Sequence, residues 1–224
     1  MREIALVAKE TRWELAPGKV IKAWAYNGRV PGPEIRLREG ERVRIVLKNE
    51  LPEPTTIHWH GVDVPNPMDG VPGVTQAPVK SGETFIYEFE ARPAGTRWYH
   101  THFQEHTQLD LGLYAPLIIE PAEADPFPYD REYTLLLDDW ATGTGRPLPS
   151  TREGTAGARG GMGGMMGGGM GGMMGGQGMG GMMGGGQHPA YDTMTINGKA
   201  YPATEPLRVR KGERVRLRLI NASA

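Results

Sequence analysis

The sequence predicts an all-β protein whose strands form a sandwich, and three observations support this prediction. The 224-residue chain contains 33 Gly and 19 Pro, residues that interrupt helices and favour tight turns. Apolar and polar residues alternate from Glu3 to about Trp140, as they do in half-buried strands. No stretch shows a sustained apolar period of about 3.6 residues, so little helix is expected.

Short alternating segments follow one another along the first part of the chain, with turn sequences between them. The clearest apolar positions are Ile35 and Leu37, then Val43, Ile45 and Leu47, then Phe85, Tyr87 and Phe89. The turn sequences are YNG at 26–28, PGP at 31–33, REGE at 38–41 and KSGE at 80–83. Many short strands at this spacing are typical of a β-sandwich.

The chain divides into three predicted parts. Residues 1–140 form a first domain, and residues 141–190 form a Gly/Met-rich flexible linker or insert that cannot offset its ordering entropy. Residues 191–224 begin a second domain, because the sequence at 197–221 repeats that at 27–49 with two additional residues. This copy contains about two strands, too few to close a sandwich, so we expect the chain to be cut within its second domain.

Composition excludes several classes of function. The formal net charge is −1 and basic residues are scattered, which gives no electrostatic footprint for nucleic acid. No apolar run approaches the roughly 20 residues of a membrane span, and the N-terminus lacks a secretory signal pattern. The chain has no Cys. Any metal site must therefore use nitrogen, oxygen or thioether ligands.

Four of the six histidines occur in two His-x-His motifs. His58 and His60 belong to the sequence TIHWHGVD, and His100 and His102 belong to RWYHTHFQ. Residues i and i+2 of a strand project to the same side, so each motif presents two imidazoles together. If the two strands are neighbours, four imidazoles converge, and imidazole suits copper and zinc. The sequence therefore predicts a transition-metal site.

The motifs HWHG and GTRWYHTH resemble the first two copper-binding motifs of the multicopper oxidase family. The surrounding sequence, from about Leu15 to Glu120, is similar to the first cupredoxin domain of that family. The resemblance implies a cupredoxin-like Greek-key β-sandwich followed by the start of a second cupredoxin domain. It also implies an oxidoreductase that couples one-electron oxidation of a substrate, Cu(I) or phenols, to the four-electron reduction of oxygen to water.

The resemblance further implies that His58 binds a type 2 copper and that His60, His100 and His102 bind the type 3 copper pair. The family's other four ligands and its type 1 copper cysteine are absent from this sequence, so the chain alone is expected to be inactive. Asp69, in the sequence PMDGVPG, matches an acidic residue that assists proton delivery in many members. The alternative for Asp69 is a simple Asp-Gly turn.

The Gly/Met segment contains nine methionines in three copies of MGGMM, at 162–166, 170–174 and 179–183. Thioether sulfur favours Cu(I), so we expect this segment to capture copper or deliver cuprous ions. Similar inserts in copper-tolerance members favour Cu(I) as the substrate, while laccase activity on phenols stays open. His106 is expected to be a solvated or capping residue, with a place in a loop or beside the cluster as the alternative. His188 is expected to be a loop residue that could help the thioethers to hold copper. Neither is expected to be a ligand of the cluster.

Two other functions are consistent with the same residues. One is a non-catalytic module that sequesters or delivers copper. The other is a zinc hydrolase-like site, against which the lack of a convincing Glu general base beside either motif argues. The sequence leaves open the reductant, a two-domain or three-domain parent and the oligomeric state, including a homo-oligomer. A periplasmic or secreted location is implied only by the resemblance.

Overall fold

The computed structural model describes residues 1–125, 127–143 and 191–223. Its strands are β1 (Arg2–Ala16), β2 (Lys19–Tyr26), β3 (Ile35–Arg38), β4 (Arg42–Asn49), β5 (His58–His60), β6 (Thr84–Glu90), β7 (Gly95–His100), β8 (Tyr114–Glu120), β9 (Arg131–Trp140), β10 (Thr193–Ile196) and β11 (Val215–Asn221). A 3₁₀ turn spans Asn66–Met68, and the helix α1 spans Glu105–Gln108. Within the described residues, helix is a minor component as predicted, and no helix is long and apolar enough to cross a membrane.

Strands β1 to β8 form a sandwich of two four-stranded sheets. One sheet has the strand order β2-β1-β4-β6 and the other has the order β3-β8-β7-β5. The chain passes from one sheet to the other after each of β2, β3, β4, β5 and β6. Sheet neighbours are therefore often distant in the chain, as in a Greek-key sandwich. The predicted all-β Greek-key fold is confirmed.

Alternate residues of the strands fill the space between the two sheets. Val43, Ile45 and Leu47 of β4 are fully buried, as the alternating pattern predicts. Burial of each such side chain contributes about 1.5–3 kcal/mol. Two aromatic residues next to the histidines are also fully buried: Trp59 at the centre of β5 and Tyr99 near the end of β7. Because neighbouring residues of a strand point to opposite faces, the histidines beside them lie outside this core.

Strands β9, β10 and β11 form a third sheet with the order β10-β9-β11. Strand β9 is antiparallel to β10 and parallel to β11, just as β1 is antiparallel to β2 and parallel to β4. The last strand of each repeated sequence, β4 or β11, therefore lies in a three-stranded arrangement of the same kind. Strand β9 lies within residues 1–140, the predicted first domain, but it pairs with β10 and β11 of the predicted second domain. The limits of the domains stay a prediction.

A second buried cluster joins the third sheet to the first sandwich. It includes Tyr114 of β8, Leu136 and Trp140 of β9, and Ile220 of β11. Within this contact the Tyr114 hydroxyl donates a hydrogen bond to the buried carboxylate of Asp138. The third sheet thus packs directly against the strand next to β7.

An ion-pair network extends the same contact. Glu132 of β9 lies 2.5 Å from Arg36 of β3 and 2.7 Å from Arg218 of β11, measured from its two carboxylate oxygens. Arg36 also contacts Glu120 of β8 at 2.6 Å. Because the side chains of Glu132 and Arg218 are only 8% and 7% exposed, the attraction between them is screened little by solvent. The network links the two parts of the chain by charge as well as by apolar packing.

Candidate metal centre

The two His-x-His motifs lie on neighbouring strands, β5 and β7. These strands pair in antiparallel register, with His58 opposite His100 and His60 opposite Trp98. Residues directly opposite each other in an antiparallel pair project to the same face of the sheet. The pairing therefore places His58, His60 and His100 together on the face of the sheet that points away from the core.

Donor atoms from three of these histidines meet in a small volume. One ring nitrogen from each of His58, His60 and His100 lies within 4.8 Å of the others. His102 lies two residues beyond the end of β7, and its ring centroid is 5.4 Å from that of His58 and 6.4 Å from that of His100. The structure thus brings the four predicted ligands side by side, with His102 at the edge of the group.

Main-chain carbonyl groups determine which nitrogen of two imidazoles carries the proton. The Nδ1 atom of His58 lies 2.8 Å from the carbonyl oxygen of Asp69, and the Nδ1 atom of His100 lies 2.7 Å from that of Thr101. A carbonyl oxygen only accepts hydrogen bonds, so each Nδ1 donates and each Nε2 keeps a free lone pair. Histidine ligands of metal sites are commonly oriented in this way.

Burial favours the neutral form of two imidazoles of the group, those of His60 and His100. His100 is 2% exposed, and burial, with a smaller contribution from the neighbouring histidines, lowers its pKa to about 3. Burial also lowers the pKa of His60, with a smaller contribution from the neighbouring His58. A metal binds the neutral form of histidine. Both rings are therefore in the binding form at neutral pH.

The donor set fits copper. The Nδ1 atom of His60 and the Nε2 atom of His100 are 3.4 Å apart. Two imidazole nitrogens that each lie about 2 Å from one ion are separated by roughly 3 Å, so this pair needs little movement to share an ion. Neutral imidazole suits Cu and Zn. The converging donors of the group are all imidazole nitrogens, and the sequence has no cysteine that could add a thiolate.

The segment after the 3₁₀ turn brings Asp69 against β5. The Oδ1 atom of Asp69 lies 3.3 Å from the Nδ1 atom of His58, in addition to the carbonyl contact. Gly70 permits this approach, because its φ is +77° and an added Cβ would lie 1.9 Å from the carbonyl oxygen of Ile57. The Asp-Gly turn and the closeness of Asp69 to the histidines therefore result from the same backbone path. The role of the carboxylate stays a prediction.

Three residues that the sequence analysis does not single out also border the group. The Trp98 ring stacks on His100 with 4.2 Å between centroids, Glu105 lies 3.5 Å from the Nδ1 atom of His100, and Gln108 contacts Thr101. The position of Trp98 has a signal in the sequence, since it lies two residues before His100 in a strand. Glu105 and Gln108 lie on α1, and no local pattern predicts that this helix packs behind the histidines.

Of the two remaining histidines, only His106 lies within the described residues. His106 is exposed on α1 and is not among the converging nitrogen donors of the described residues. His188 and the methionines of 162–183 lie outside the described residues. Copper capture by the Gly/Met segment therefore stays a prediction.

Comparison with known proteins finds relatives among copper proteins. A family model described as multicopper oxidase matches residues 7–124. Copper resistance protein A of Pseudomonas syringae pv. tomato is 44% identical over 125 residues, which are 55% of this chain and 20% of that protein. Multicopper oxidase MmcO of Mycobacterium tuberculosis is 34% identical over 218 residues, which are 92% of this chain and 40% of that protein.

The solved structures extend the likeness to nearly the whole chain. A blue copper oxidase from Nitrosomonas europaea superposes with a TM-score of 0.75 and 33% identity, covering 99% of this chain and 61% of that one. The chain spans less than half the length of the curated relatives named here, with at most 40% of such a relative covered. The family model covers more than half of the 224 residues, including both histidine motifs. The chain belongs to the multicopper oxidase family.

Proposed function

We propose that this chain provides four histidine ligands to the oxygen-reducing copper centre of a multicopper oxidase. The complete enzyme couples one-electron oxidation of a substrate to the four-electron reduction of oxygen to water. One observation carries the proposal: in a chain of this family, nitrogens of His58, His60 and His100 converge within 4.8 Å with His102 beside them. When bound, copper supplies the binding of oxygen and the transfer of electrons, which imidazoles do not provide.

Each histidine has a separate part in the proposed centre. His58 is a ligand of the type 2 copper, and His60, His100 and His102 are ligands of the type 3 pair. The 3.4 Å distance between ring nitrogens of His60 and His100 supports their assignment to one ion. The hydrogen bonds from His58 to Asp69 and from His100 to Thr101 hold both rings with Nε2 available for binding.

Asp69 is the proposed proton donor of the centre. The reduction of one oxygen molecule to water consumes protons, which must reach the histidine group from solvent. The Asp69 side chain is 34% exposed and its Oδ1 atom lies 3.3 Å from His58, so the carboxylate contacts both solvent and the site. This placement supports a role in general acid catalysis.

Cu(I) is the proposed reductant, with phenols as the alternative. Two features support Cu(I): the nine methionines of 162–183, whose thioethers favour that ion, and the likeness to proteins named for copper resistance. Relatives named as laccases support phenols. A periplasmic or secreted location stays a prediction from the family resemblance, and fractionation of cells that express the complete protein tests it.

A non-catalytic module for copper sequestration or delivery is the alternative function. The absence of cysteine favours it, because a type 1 copper site needs a thiolate. For the oxidase, we propose that other parts of the protein supply that thiolate and the remaining ligands. Oxygen consumption by the complete protein, with Cu(I) and with a phenol as reductants, distinguishes an oxidase from a carrier.

The ligand assignment is tested by copper titration of the chain and two variants. We expect the double variant His60→Ala/His100→Ala to lose Cu(II) from the histidine group, while His106→Ala, a change at an exposed histidine of α1, keeps it. Cu(II) is used because thioethers prefer Cu(I), which limits binding by the methionines. Bound copper per chain is measured by elemental analysis and by electron paramagnetic resonance. Equal copper and identical spectra in the double variant and the wild type would contradict the assignment.

A further inference from the structure

A buried polar network lies directly behind the two histidine motifs. The side-chain oxygen of Gln108 is 2.9 Å from the hydroxyl of Thr55 and 2.9 Å from that of Thr101, and the two hydroxyls are 3.2 Å apart. The side-chain nitrogen of Gln108 donates to the carbonyl oxygen of Pro54 at 2.8 Å. Gln108, Thr55 and Thr101 are all 0% exposed. The network is therefore inside the sandwich rather than on its surface.

The orientation of the Gln108 amide follows from its partners. The carbonyl oxygen of Pro54 only accepts, so the amide nitrogen must face it and the amide oxygen must face the two hydroxyls. Each hydroxyl then donates its single proton to that oxygen. The Thr101 hydroxyl oxygen also accepts a hydrogen bond from the main-chain nitrogen of Phe103 at 3.2 Å. One amide group thus holds two threonines in fixed positions.

The two threonines belong to the segments that carry the proposed ligands. Thr55 lies three residues before His58, and Thr101 lies between His100 and His102. The β5–β7 pairing ends at His58 and His100, so strand pairing between these two segments does not extend to His102. Beyond this pair, the chain is held at Thr101 by the carbonyl oxygen of Leu113, 3.0 Å from the Thr101 nitrogen, and by the Gln108 amide. The Gln108 amide therefore connects the two segments just beyond the last residue pair of β5 and β7.

We infer that Gln108 is a positioning residue for copper ligation, which acts through Thr55 and Thr101 to set the position of His102 relative to His58. The inference rests on the proposed function, since it requires these histidines to be ligands. Asn49 provides an internal comparison. Its buried amide makes contacts of 2.8, 2.8 and 2.9 Å to the main chain of Glu53, Val79 and Leu51, but touches neither histidine motif.

Three variants of the chain test the inference. Gln108→Leu removes the acceptor and the donor at similar volume, Gln108→Glu keeps an acceptor for both hydroxyls, and Asn49→Leu is the control for loss of a buried amide. Cu(II) affinity is measured by competition with a chelator, the ligand field by electron paramagnetic resonance, and folding by circular dichroism during heating. We expect Gln108→Leu to weaken copper binding by about 10- to 100-fold and to change the spectrum.

The other variants separate positioning from general stability. We expect Gln108→Glu to recover part of the affinity, and Asn49→Leu to lower the melting temperature without a change of spectrum. If Gln108→Leu does not fold, Thr101→Val removes one hydroxyl alone and is expected to give the same spectral change. A folded Gln108→Leu or Thr101→Val variant with wild-type affinity and spectrum overturns the inference, as does an Asn49→Leu variant that changes the spectrum equally. A wild-type chain without copper at the histidines overturns the proposed function, and the inference with it.

Discussion

Residues 27–49 and 197–221 share an Asn-Gly turn and a final strand, but they bury opposite faces of that strand. Both copies begin with an Asn-Gly turn, in which Asn27 and Asn197 have φ values of 54° and 52°. The side-chain oxygen of each asparagine accepts a hydrogen bond from the main chain of the strand beside it. In both copies the last strand is parallel to the first strand of its sheet, β4 to β1 and β11 to β9. The turn and the last strand are thus the same in the two regions.

Burial differs at equivalent positions. Leu47 of β4 is 0% exposed, whereas its equivalent in β11, Leu219, is 62% exposed. On the other face of the strand, Arg218 is 7% exposed although its equivalent, Val46, is only half-buried. The sequence pattern therefore determines strands and turns, while the neighbouring sheet determines which face becomes a core.

The exposed face of β9–β11 corresponds to the face of β1, β2 and β4 that the second sheet covers in the first sandwich. Leu207 and Val209, the equivalents of Ile35 and Leu37 of β3, are 42% and 57% exposed and belong to no strand of the described chain. In the first sandwich, β3 pairs with β8 of the second sheet. This difference supports the proposal that β9–β11 begin a second cupredoxin domain whose other sheet covers this face.

The largest expected difference between the copies is in how much each of two equivalent leucines contributes to the free energy of unfolding. Leu47→Ala creates a cavity in a closed core and should lower the free energy of unfolding by about 2–5 kcal/mol. Leu219→Ala shortens a side chain that is 62% exposed, so we expect a loss below about 1 kcal/mol. Urea denaturation of both variants and the wild type measures the two values. Equal losses would show that the face of β11 is covered in solution.

A smaller difference is expected at the two turn glycines. Gly28 and Gly198 have φ values of +71° and +72°, so Ala is strained at both positions, by about 1–2 kcal/mol. An added Cβ at Gly198 would lie 2.1 Å from the carbonyl oxygen of Val30, whereas at Gly28 it meets only the flexible side chain of Lys9 at 3.1 Å. Gly198→Ala should therefore cost a further 1–3 kcal/mol, approximately the cost of overpacking. Thermal unfolding of the two variants compares them, and a larger loss for Gly28→Ala would refute this account of the turns.

A pH dependence is also expected at the contact between the two regions. Burial raises the pKa of Asp138 from 3.8 to about 7, although the hydrogen bond from Tyr114 opposes the shift. Between about pH 4 and 7 the native state holds a proton that the unfolded state releases, so the free energy of unfolding falls as pH rises. For one group, the slope is at most about 1.4 kcal/mol per pH unit. Asp138→Asn should flatten this slope in denaturation curves recorded across that range, and Tyr114→Phe should move it to higher pH.

The sequence predicts the strands of the first sandwich well because their signal is local. Alternation of apolar residues at Val43, Ile45 and Leu47 follows directly from the two faces of a strand. The contact between the third sheet and the first sandwich has no such signal. Glu132 and Arg218 are charged residues within strand-like sequence, and only the packed structure shows that they pair with each other in a buried position.

The candidate site is predictable in its membership and less so in its geometry. The spacing of His58, His60, His100 and His102 in two strand-like segments is sufficient to predict that they meet if the strands are neighbours. The tautomers of His58 and His100 depend instead on main-chain carbonyl groups, and every residue type has such a group. The involvement of Gln108 depends on the packing of α1, which brings residues from separate segments together.

His58 contacts both the main-chain carbonyl group and the side chain of residue 69, and these two contacts can change independently. The carbonyl oxygen that orients the imidazole is present whichever side chain residue 69 carries, whereas the carboxylate of Asp69 can be replaced by a single substitution. A change in the proposed proton supply therefore does not require a change in the orientation of the His58 ring. A deletion or insertion between His60 and Gly70 has the opposite effect, because it displaces the carbonyl oxygen itself. The length of this loop is thus under a stricter constraint than its composition.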